Sequence, residues 1–456
     1  MKPNKKQIDE SLKYSVIEGS ANSVKNGIVD NYIIPFAMLL GAGNQMIGLI
    51  SSLPPTIGYI TQIFSTKIIR FFKSKKNSCR LFKFLSSLFW IPIMLIPFIF
   101  TNGIWWLLLF LTIRMMLLLI DSTIWSSWIS DIVPRNIRGS FFGKRNIFGN
   151  ITSFIASLIA GWILGIIDNV YGFIIIFSIA FIFSLISNFY LGKIVEIPIR
   201  KKHKKLFNFK HFIDGINQHS NYSNFVLFKT LMNFAIYIVA PFWIVFVLRD
   251  LNIGYFWYAI SIAVYMIVNT LSQKYWGHLS DRFGDKKIMF VCALLLPFTG
   301  LIMVFVTNLW QLMIERIFSA FVFSGFFLTS FNYLLDVSPQ EDNSTFIANH
   351  NLFAGLGAAV APLIGGILIG PLSTITLLGL GGIQSLFFLA FILRFVVAGT
   401  MMGRLHSIRV KKNIAFRNIF LKATFTYPLE SIKHEFNYVA RNIHRWENKF
   451  RPTTKK

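Results

Sequence analysis

Twelve stretches of about 20 predominantly apolar residues recur along this chain of 456 residues. A helix rises about 1.5 Å per residue and the hydrocarbon core of a membrane is about 30 Å thick, so each stretch is long enough to cross the membrane once. We therefore predict an all-α membrane protein with twelve transmembrane helices. The predicted spans are residues 15–40, 45–66, 81–101, 104–130, 146–167, 170–192, 224–248, 254–274, 288–306, 309–335, 346–369 and 373–399.

Composition agrees with this fold class. Of the residues, 54% are hydrophobic and 49 are Phe, which gives more apolar surface than a soluble domain of this length can bury. The net charge of +26 does not predict nucleic-acid binding, because the basic residues lie between the apolar stretches rather than on one folded face. Cys79 and Cys292 have no CxxC spacing and no nearby His, so we expect no disulfide framework, metal site or cofactor.

The positive charges predict the orientation of the spans. Loops on the cytoplasmic side of a membrane retain Lys and Arg, and one alternating set of gaps, together with both termini, holds 39 of the 45 basic residues. The other set of gaps contains only Arg249. We therefore expect a multi-pass protein of the cell membrane with both termini in the cytoplasm. The first apolar run lacks an A-x-A cleavage site, so we expect it to be retained as a helix.

The longest polar interruption lies between spans six and seven and divides the chain into two six-helix halves. A fixed offset of 205 residues relates Trp105, Asp131, Pro134 and Asn146 to Trp310, Asp336, Pro339 and Asn351. Parallel repeats of this kind place a cavity at their interface and suggest alternating access. The predicted segments are an N-terminus (1–14), a first bundle (15–192), a linker (193–223), a second bundle (224–399) and a basic tail (400–456).

A loop between spans eight and nine carries the most specific motif. Residues 277–287 read GHLSDRFGDKK, which resembles the G-x-x-x-D-R-x-G-x-K-K signature of the major facilitator superfamily. Gly277 is expected to let helices approach closely, Gly284 to permit a tight reversal, and Asp281 to accept charge-assisted hydrogen bonds. The matching residues are Gly277, Asp281, Arg282, Gly284, Lys286 and Lys287.

The resemblance covers roughly residues 14–400. The segment 131–146 also looks like the superfamily's loop after span four, whereas the first-half loop 66–76 keeps only the basic end of the signature. The resemblance implies two pseudo-symmetric six-helix bundles, a gating contact at the signature loop, and a central cavity surrounded by spans one, four, seven and ten. It implies a permease that moves a small solute across the membrane.

Charged residues inside the predicted spans are candidates for function, because an unpaired charge near the bilayer centre costs several kcal/mol. Asp30 and Arg114 fall at similar depth, as do Lys25 and Asp121. We predict two cross-helix pairs, Asp30 with Arg114 and Lys25 with Asp121. Lys25 and Asp30 point about 140° apart on an ideal helix, so both reach span four only if the helix is distorted. The alternative is a structural bridge between Lys25 and Glu18.

Further polar residues lie in the second-half spans. Glu315 and Arg316 are adjacent and should point about 100° apart, and both a substrate contact and a structural role remain open for them. Lys229 and Arg394 lie near span ends, where snorkelling is expected. Two more substrate candidates are Asn233 and Tyr237, although such groups often make helix-packing hydrogen bonds. Tryptophans deep enough to line a cavity are Trp90, Trp125, Trp128 and Trp162.

The basic tail beyond residue 400 contains one predicted amphipathic helix. Its apolar residues alternate spacings of three and four, and nearby basic residues favour docking on anionic lipid headgroups. A coiled-coil partner is the alternative. The apolar positions are Leu429, Ile432, Phe436, Val439, Ile443, Trp446 and Phe450, and the basic ones are Arg441, Arg445, Lys449 and Arg451.

The leading functional prediction is a secondary active transporter that works by alternating access. No GxxxxGK[ST] motif supports ATP hydrolysis, and Asp30 and Asp121 are the candidate carriers of a coupling proton. A facilitative uniporter and a non-transporting receptor or scaffold remain alternatives. A membrane enzyme is not expected, because the His-bearing loop around His203, His211 and His219 is a basic linker without a catalytic set. Substrate identity and direction of transport do not follow from the sequence.

Overall fold

The computed structural model describes residues 4–134, 137–196, 220–338, 343–374 and 380–406. This part of the chain is helical and contains no strand. The predicted tail helix and most of the linker lie outside the described residues. The helices of the first half are α1 (Lys5–Leu39), α2 (Asn44–Thr61), α3 (Ser65–Phe72), α4 (Lys75–Leu88), α5 (Trp90–Ile99), α6 (Gly103–Ile132), α7 (Arg138–Ile166) and α8 (Val170–Leu191).

The second half repeats this arrangement with seven described helices. The seventh span is α9 and α10 together, followed by one wide turn at Phe246–Asp250, just as α4 and α5 together form the third span. The helices are α9 (Ser220–Tyr237), α10 (Ala240–Val245), α11 (Tyr255–Phe283), α12 (Asp285–Val304), α13 (Leu309–Val337), α14 (Asn343–Thr374) and α15 (Gly382–Met401).

Twelve spans account for these helices. Within the described residues, ten helical stretches are long and apolar enough to cross a membrane by length and composition alone. The other two spans are α1, which carries Glu18, Lys25 and Asp30 in its middle, and α2, which has 18 residues and contains Pro54 and Pro55. Charge and proline lower their apolar character without preventing a helix. The protein is therefore an all-α membrane protein of twelve transmembrane helices.

The two halves pack in the same way. In the first half, α1 contacts α7 and α8, α2 contacts α6, and α4 contacts α6 and α8. In the second half, α9 contacts α14 and α15, α11 contacts α13, and α12 contacts α13 and α15. Each of these contacts in the first half thus has a counterpart at the same position in the second half. The contacts between halves, α2 with α14 and α7 with α11, are also related by this symmetry.

Hydrogen bonds show which helix ends lie together. The Tyr222 hydroxyl near the start of α9 donates to the Phe346 carbonyl near the start of α14, at 2.6 Å. Asn221 also reaches the His406 carbonyl beyond the end of α15, at 3.3 Å. We call this end of the bundle, where α1 and α9 begin, the terminal end, and the other the opposite end.

The halves meet tightly at the opposite end, where glycines allow close approach of the helices. A Cβ added at Gly48 would lie 2.5 Å from the Pro362 carbonyl oxygen, and one at Gly161 would lie 2.2 Å from the Ala259 Cβ. Tyr258 donates to the Asn31 carbonyl at 3.0 Å. Arg249 also donates a hydrogen bond to the Asn44 Oδ1 at 3.1 Å, and Gly366 lies close to Asn44. We call this set of contacts the opposite-end seal.

Candidate functional site

A central cavity of about 530 Å³ lies between the two halves. Helices α1, α2 and α6 line it from the first half, and α9, α10 and α14 line it from the second. Most of the wall is aliphatic side chains and prolines, and the charged residues among the lining are Asp30 and Arg114. Further polar lining residues are Asn26, Ser51, Tyr59 and Tyr237.

Arg114 is held against an aromatic ring rather than against a carboxylate. Its guanidinium carbon lies 4.2 Å from the ring centroid of Trp90, and Trp90 is itself stacked on Phe177. The Arg114 Nε has no hydrogen-bond partner within the described residues. The Asp30 side chain is exposed to the cavity, and its charge acts on Arg114 across a gap. The described part of the chain contains no direct Asp30–Arg114 ion pair, so that prediction is wrong.

The second predicted pair is also separated. The Lys25 ammonium donates to the Asn22 Oδ1 at 3.0 Å, within α1. Asp121 accepts a hydrogen bond from the Cys79 thiol, with 2.8 Å between Sγ and Oδ1. No direct ion pair joins Lys25 to Asp121 among the described residues, although their charges interact. Both side chains are buried beside the cavity wall rather than lining it.

Glu18 is bound by three residues that the sequence did not suggest as its partners. It forms ion pairs with Lys83 of α4 and with Arg145 of α7 at 3.1 Å, and it accepts a hydrogen bond from Ser187 of α8 at 3.0 Å. The alternative in which Glu18 bridges to Lys25 is therefore wrong. The sequence held one signal: Cys79, Lys83 and Ser87 recur every four residues, which is the spacing of one helix face, and all three are buried.

A second cavity of about 190 Å³ lies inside the second half. Glu315 and Arg316 both line it, and they do not point apart as expected. The Arg316 Nε lies 2.6 Å from the Glu315 Oε2, and its guanidinium stacks 4.1 Å from the Trp243 ring centroid. The neighbouring Glu315 oxygen accepts a hydrogen bond from Ser319. The pair is thus satisfied within the half, away from the central cavity.

Arg394 lines the same second cavity and does not snorkel. It is 3% exposed and donates to the Thr299 hydroxyl at 2.7 Å. Its Nε donates to the Ala235 carbonyl at 3.1 Å, and its Nη2 lies 3.4 Å from the Ile236 carbonyl. These two carbonyls precede the break between α9 and α10. The prediction of a snorkelling side chain is wrong because a polar backbone site lies within reach.

The remaining second-half candidates fall at different depths along α9. Tyr237 lines the central cavity, whereas Asn233 donates to the Ala354 carbonyl of α14 at 3.1 Å, the helix-packing role that was its alternative. Lys229 is 5% exposed, so the expectation of snorkelling is wrong for this residue too. None of the four deep tryptophans is among the residues that line the central cavity.

The signature loop joins α11 to α12. Gly284 has φ +91°, a left-handed conformation that favours glycine at such a reversal. A Cβ at Gly277 would meet only the Leu328 side chain, at 3.8 Å, so the expected close approach there is wrong. Asp281 and Arg282 are exposed on the last turn of α11, and Lys286 and Lys287 are half-buried on the first turn of α12.

Asp285, which the signature does not specify, joins the neighbouring helices at this loop. It accepts hydrogen bonds from Ser280 of α11 and from Asn332 of α13, the latter at 3.0 Å. In the first half the corresponding link is an ion pair of 2.7 Å between Lys75 of α4 and Asp131 of α6. Within the described residues, no group of three or more His, Cys, Asp or Glu side chains could hold a metal ion.

Comparison with known families agrees with the repeated helix packing. The family model described as Major Facilitator Superfamily matches residues 225–428, which includes most of the second half. The second half of the chain is thus similar to the major facilitator superfamily. The crystal structure of a D-xylose-proton symporter has the same fold, with a TM-score of 0.68 and 13% sequence identity over 88% of this chain and 99% of that one.

Two curated relatives match shorter stretches of the chain. Multidrug resistance protein MdtG of Proteus mirabilis is 29% identical over 113 residues, which is 25% of this chain and 28% of the relative. The class H tetracycline resistance protein of Pasteurella multocida is 27% identical over 111 residues, which is 24% of this chain and 28% of the relative. The matches thus span less than a third of each relative. They point to a transporter family rather than to a class of enzymes.

Proposed function

We propose that this protein is a member of the major facilitator superfamily and a secondary active transporter that moves a small organic solute through the central cavity by alternating access. One observation carries the proposal: the cavity lies between two symmetric halves that are held together at the opposite end by the glycine contacts of the seal. Because α2–α14 and α7–α11 are symmetry-related contacts, rocking of one half against the other can open that end.

The cavity supports a mainly apolar solute. Its volume of about 530 Å³ lies within the range of sites for drug-sized molecules. Asp30 and Arg114 offer one charge of each sign on an otherwise aliphatic wall, which suits an organic solute with an apolar body and a charged or polar group. The multidrug and tetracycline resistance relatives support export as the direction.

Asp30 is the proposed carrier of a coupling proton, because its carboxylate is exposed in the cavity whereas Asp121 is buried against Cys79. The solute and the coupling proton then bind to the same carboxylate, that of Asp30. The distribution of Lys and Arg supports a cytoplasmic terminal end. In this arrangement the seal faces outward, and we propose that the basic tail binds anionic headgroups of the inner leaflet.

Flux measurements with purified protein in liposomes test the proposal. We expect tetracycline or ethidium to move against its gradient when a pH gradient is imposed. Asp30→Asn should lower this gradient-driven accumulation at least tenfold, while solute exchange without a pH gradient continues. Asp168→Asn, an exposed acid at the opposite end, is the matched control and should transport normally. Flux equal to that of empty liposomes contradicts transport, and flux indifferent to the pH gradient favours a uniporter.

A further inference from the structure

Lys229 is a buried cation for which the described part of the chain provides no acidic partner and no hydrogen-bond acceptor. It is 5% exposed, and its ammonium nitrogen lies 4.4 Å from the ring centroid of Phe326 and 5.1 Å from that of Phe327. Cation–π contacts offset only part of the free-energy cost of burying an unpaired charge. By contrast, Lys25 is a buried lysine on the first helix of the other half, and the negative charges of Asp121 and Asp30 act on it.

His350 of α14 lies beside Lys229. Helices α9 and α14 both begin at the terminal end and run parallel, and the Asn233 to Ala354 hydrogen bond sets their register. His350 stacks on Phe225, which lies one turn before Lys229 on the same face of α9, and the charge of Lys229 acts on His350. His350 is 7% exposed, and its Nδ1 has no partner within the described residues.

Side chains of three helices come together around Lys229. Asn233, one turn further along α9, has a buried Oδ1 that also has no partner among the described residues, and Phe326 and Phe327 of α13 lie against the Lys229 ammonium. Phe327 is 41% exposed, so this cluster of side chains borders accessible space. A buried lysine without an acidic partner, beside a second buried nitrogen with no hydrogen-bond partner, suits a small anionic ligand.

We infer that Lys229, His350 and Asn233 form a binding site for a small monoanion, such as chloride or formate, separate from the central cavity. We call it the α9–α14 anion site. The anion accepts hydrogen bonds from the Lys229 ammonium and from the His350 imidazole when its Nδ1 carries the proton, and a water molecule shared with the anion satisfies the Asn233 oxygen. The anion then balances the charge of Lys229, as the nearby acids balance that of Lys25 in the other half.

Thermal unfolding of the full-length protein in detergent without added lipid tests this inference. Replacing gluconate, which is too bulky for the site, by chloride or formate at constant ionic strength should raise the unfolding temperature by about 4 °C, because a ligand that binds only the folded state stabilises it. Lys229→Met should abolish that response and should be more stable than the wild type in gluconate, because it removes the uncompensated charge.

Lys193→Met is the matched control, since Lys193 also lies over aromatic rings but is exposed; it should keep the full anion response. If Lys229→Met does not fold, His350→Gln replaces it as the test variant. His350→Gln should raise the anion concentration that gives half of the full response at least threefold. An unchanged response in Lys229→Met, or none in the wild type, overturns the inference. A Lys229-dependent response to added anionic phospholipid alone would identify a lipid headgroup and would also overturn it.

Discussion

Single residues stabilise the first half by bringing charges of several helices together. Glu18 of α1 is 1% exposed and binds Lys83 of α4, Arg145 of α7 and Ser187 of α8. Two cations share one carboxylate, and Arg145 also stacks 4.2 Å from the Trp125 ring centroid. Removing one member of a buried ion pair leaves the other charge uncompensated, which costs far more than the pair contributes.

Glu18→Gln should therefore lower the free energy of unfolding by about 3–5 kcal/mol, because Lys83 and Arg145 lose their shared carboxylate. Denaturant titration of the purified protein in detergent measures this loss. The control is Asp131→Asn: Asp131 pairs with Lys75, but its side chain is 47% exposed, so the change should stay within about 1 kcal/mol. Equal losses in the two variants would contradict a special role for burial.

The sequence predicted which charges lie deep in the membrane, but not their partners. Asp30 and Arg114 both reach the central cavity, as their depth along α1 and α6 suggested. Depth does not determine the direction in which a side chain points, however, and Arg114 packs on Trp90 instead. The third span was predicted to begin at residue 81, which places Lys83 at a span end, whereas α4 begins at Lys75 and carries Lys83 into the core.

At the scale of helices, the seventh span is the most irregular. It is interrupted between Tyr237 and Ala240, and Pro241 follows at the start of α10, where a missing N–H is tolerated. Arg394 of α15 supplies donors to the Ala235 and Ile236 carbonyls before the break. The sequence predicted one continuous span here because the apolar run continues through the break. The tertiary contact with Arg394, which satisfies two carbonyls before the break, does not follow from the local sequence.

Arg394→Lys should destabilise the protein by about 2–4 kcal/mol, because one ammonium cannot reach both carbonyls and buried acceptors without donors cost about 1–3 kcal/mol each. Hydrogen exchange of the backbone amides at residues 238–245 should increase in the same variant. Thr299→Val, which removes only the hydroxyl acceptor of Arg394, should cost about 1 kcal/mol and leave exchange at the break unchanged. Matching exchange in both variants would contradict this account.

For the whole molecule, the opposite-end seal determines which side of the cavity is closed. Small residues let α2 approach α14 and α7 approach α11, so that backbone and side chain meet without large interlocking groups. The sequence predicted the two halves and the cavity between them from the repeat at a constant offset. It did not predict the seal, because glycines in apolar spans occur for many reasons and their partners are set by packing between halves.

Gly48→Ala should weaken the seal, since the added Cβ would lie 2.5 Å from the Pro362 carbonyl oxygen and the helices must separate. Spin labels at positions 101 and 307, on the opposite-end loops of the two halves, should report a larger population of long distances. Gly43→Ala meets nothing within 4 Å and should keep the wild-type distribution. An unchanged distribution in Gly48→Ala would show that the contact does not control the conformation.

The ion pairs described above each join residues of a single half, as Glu18 does with Lys83 and Arg316 does with Glu315. None of them has to break when one half rotates against the other. The balance between the two conformations then depends on van der Waals contact, on a few hydrogen bonds, of which the Arg249 to Asn44 bond has a charged donor, and on the pressure of the surrounding lipid. Salt should leave that balance nearly unchanged, whereas bilayer thickness should shift it.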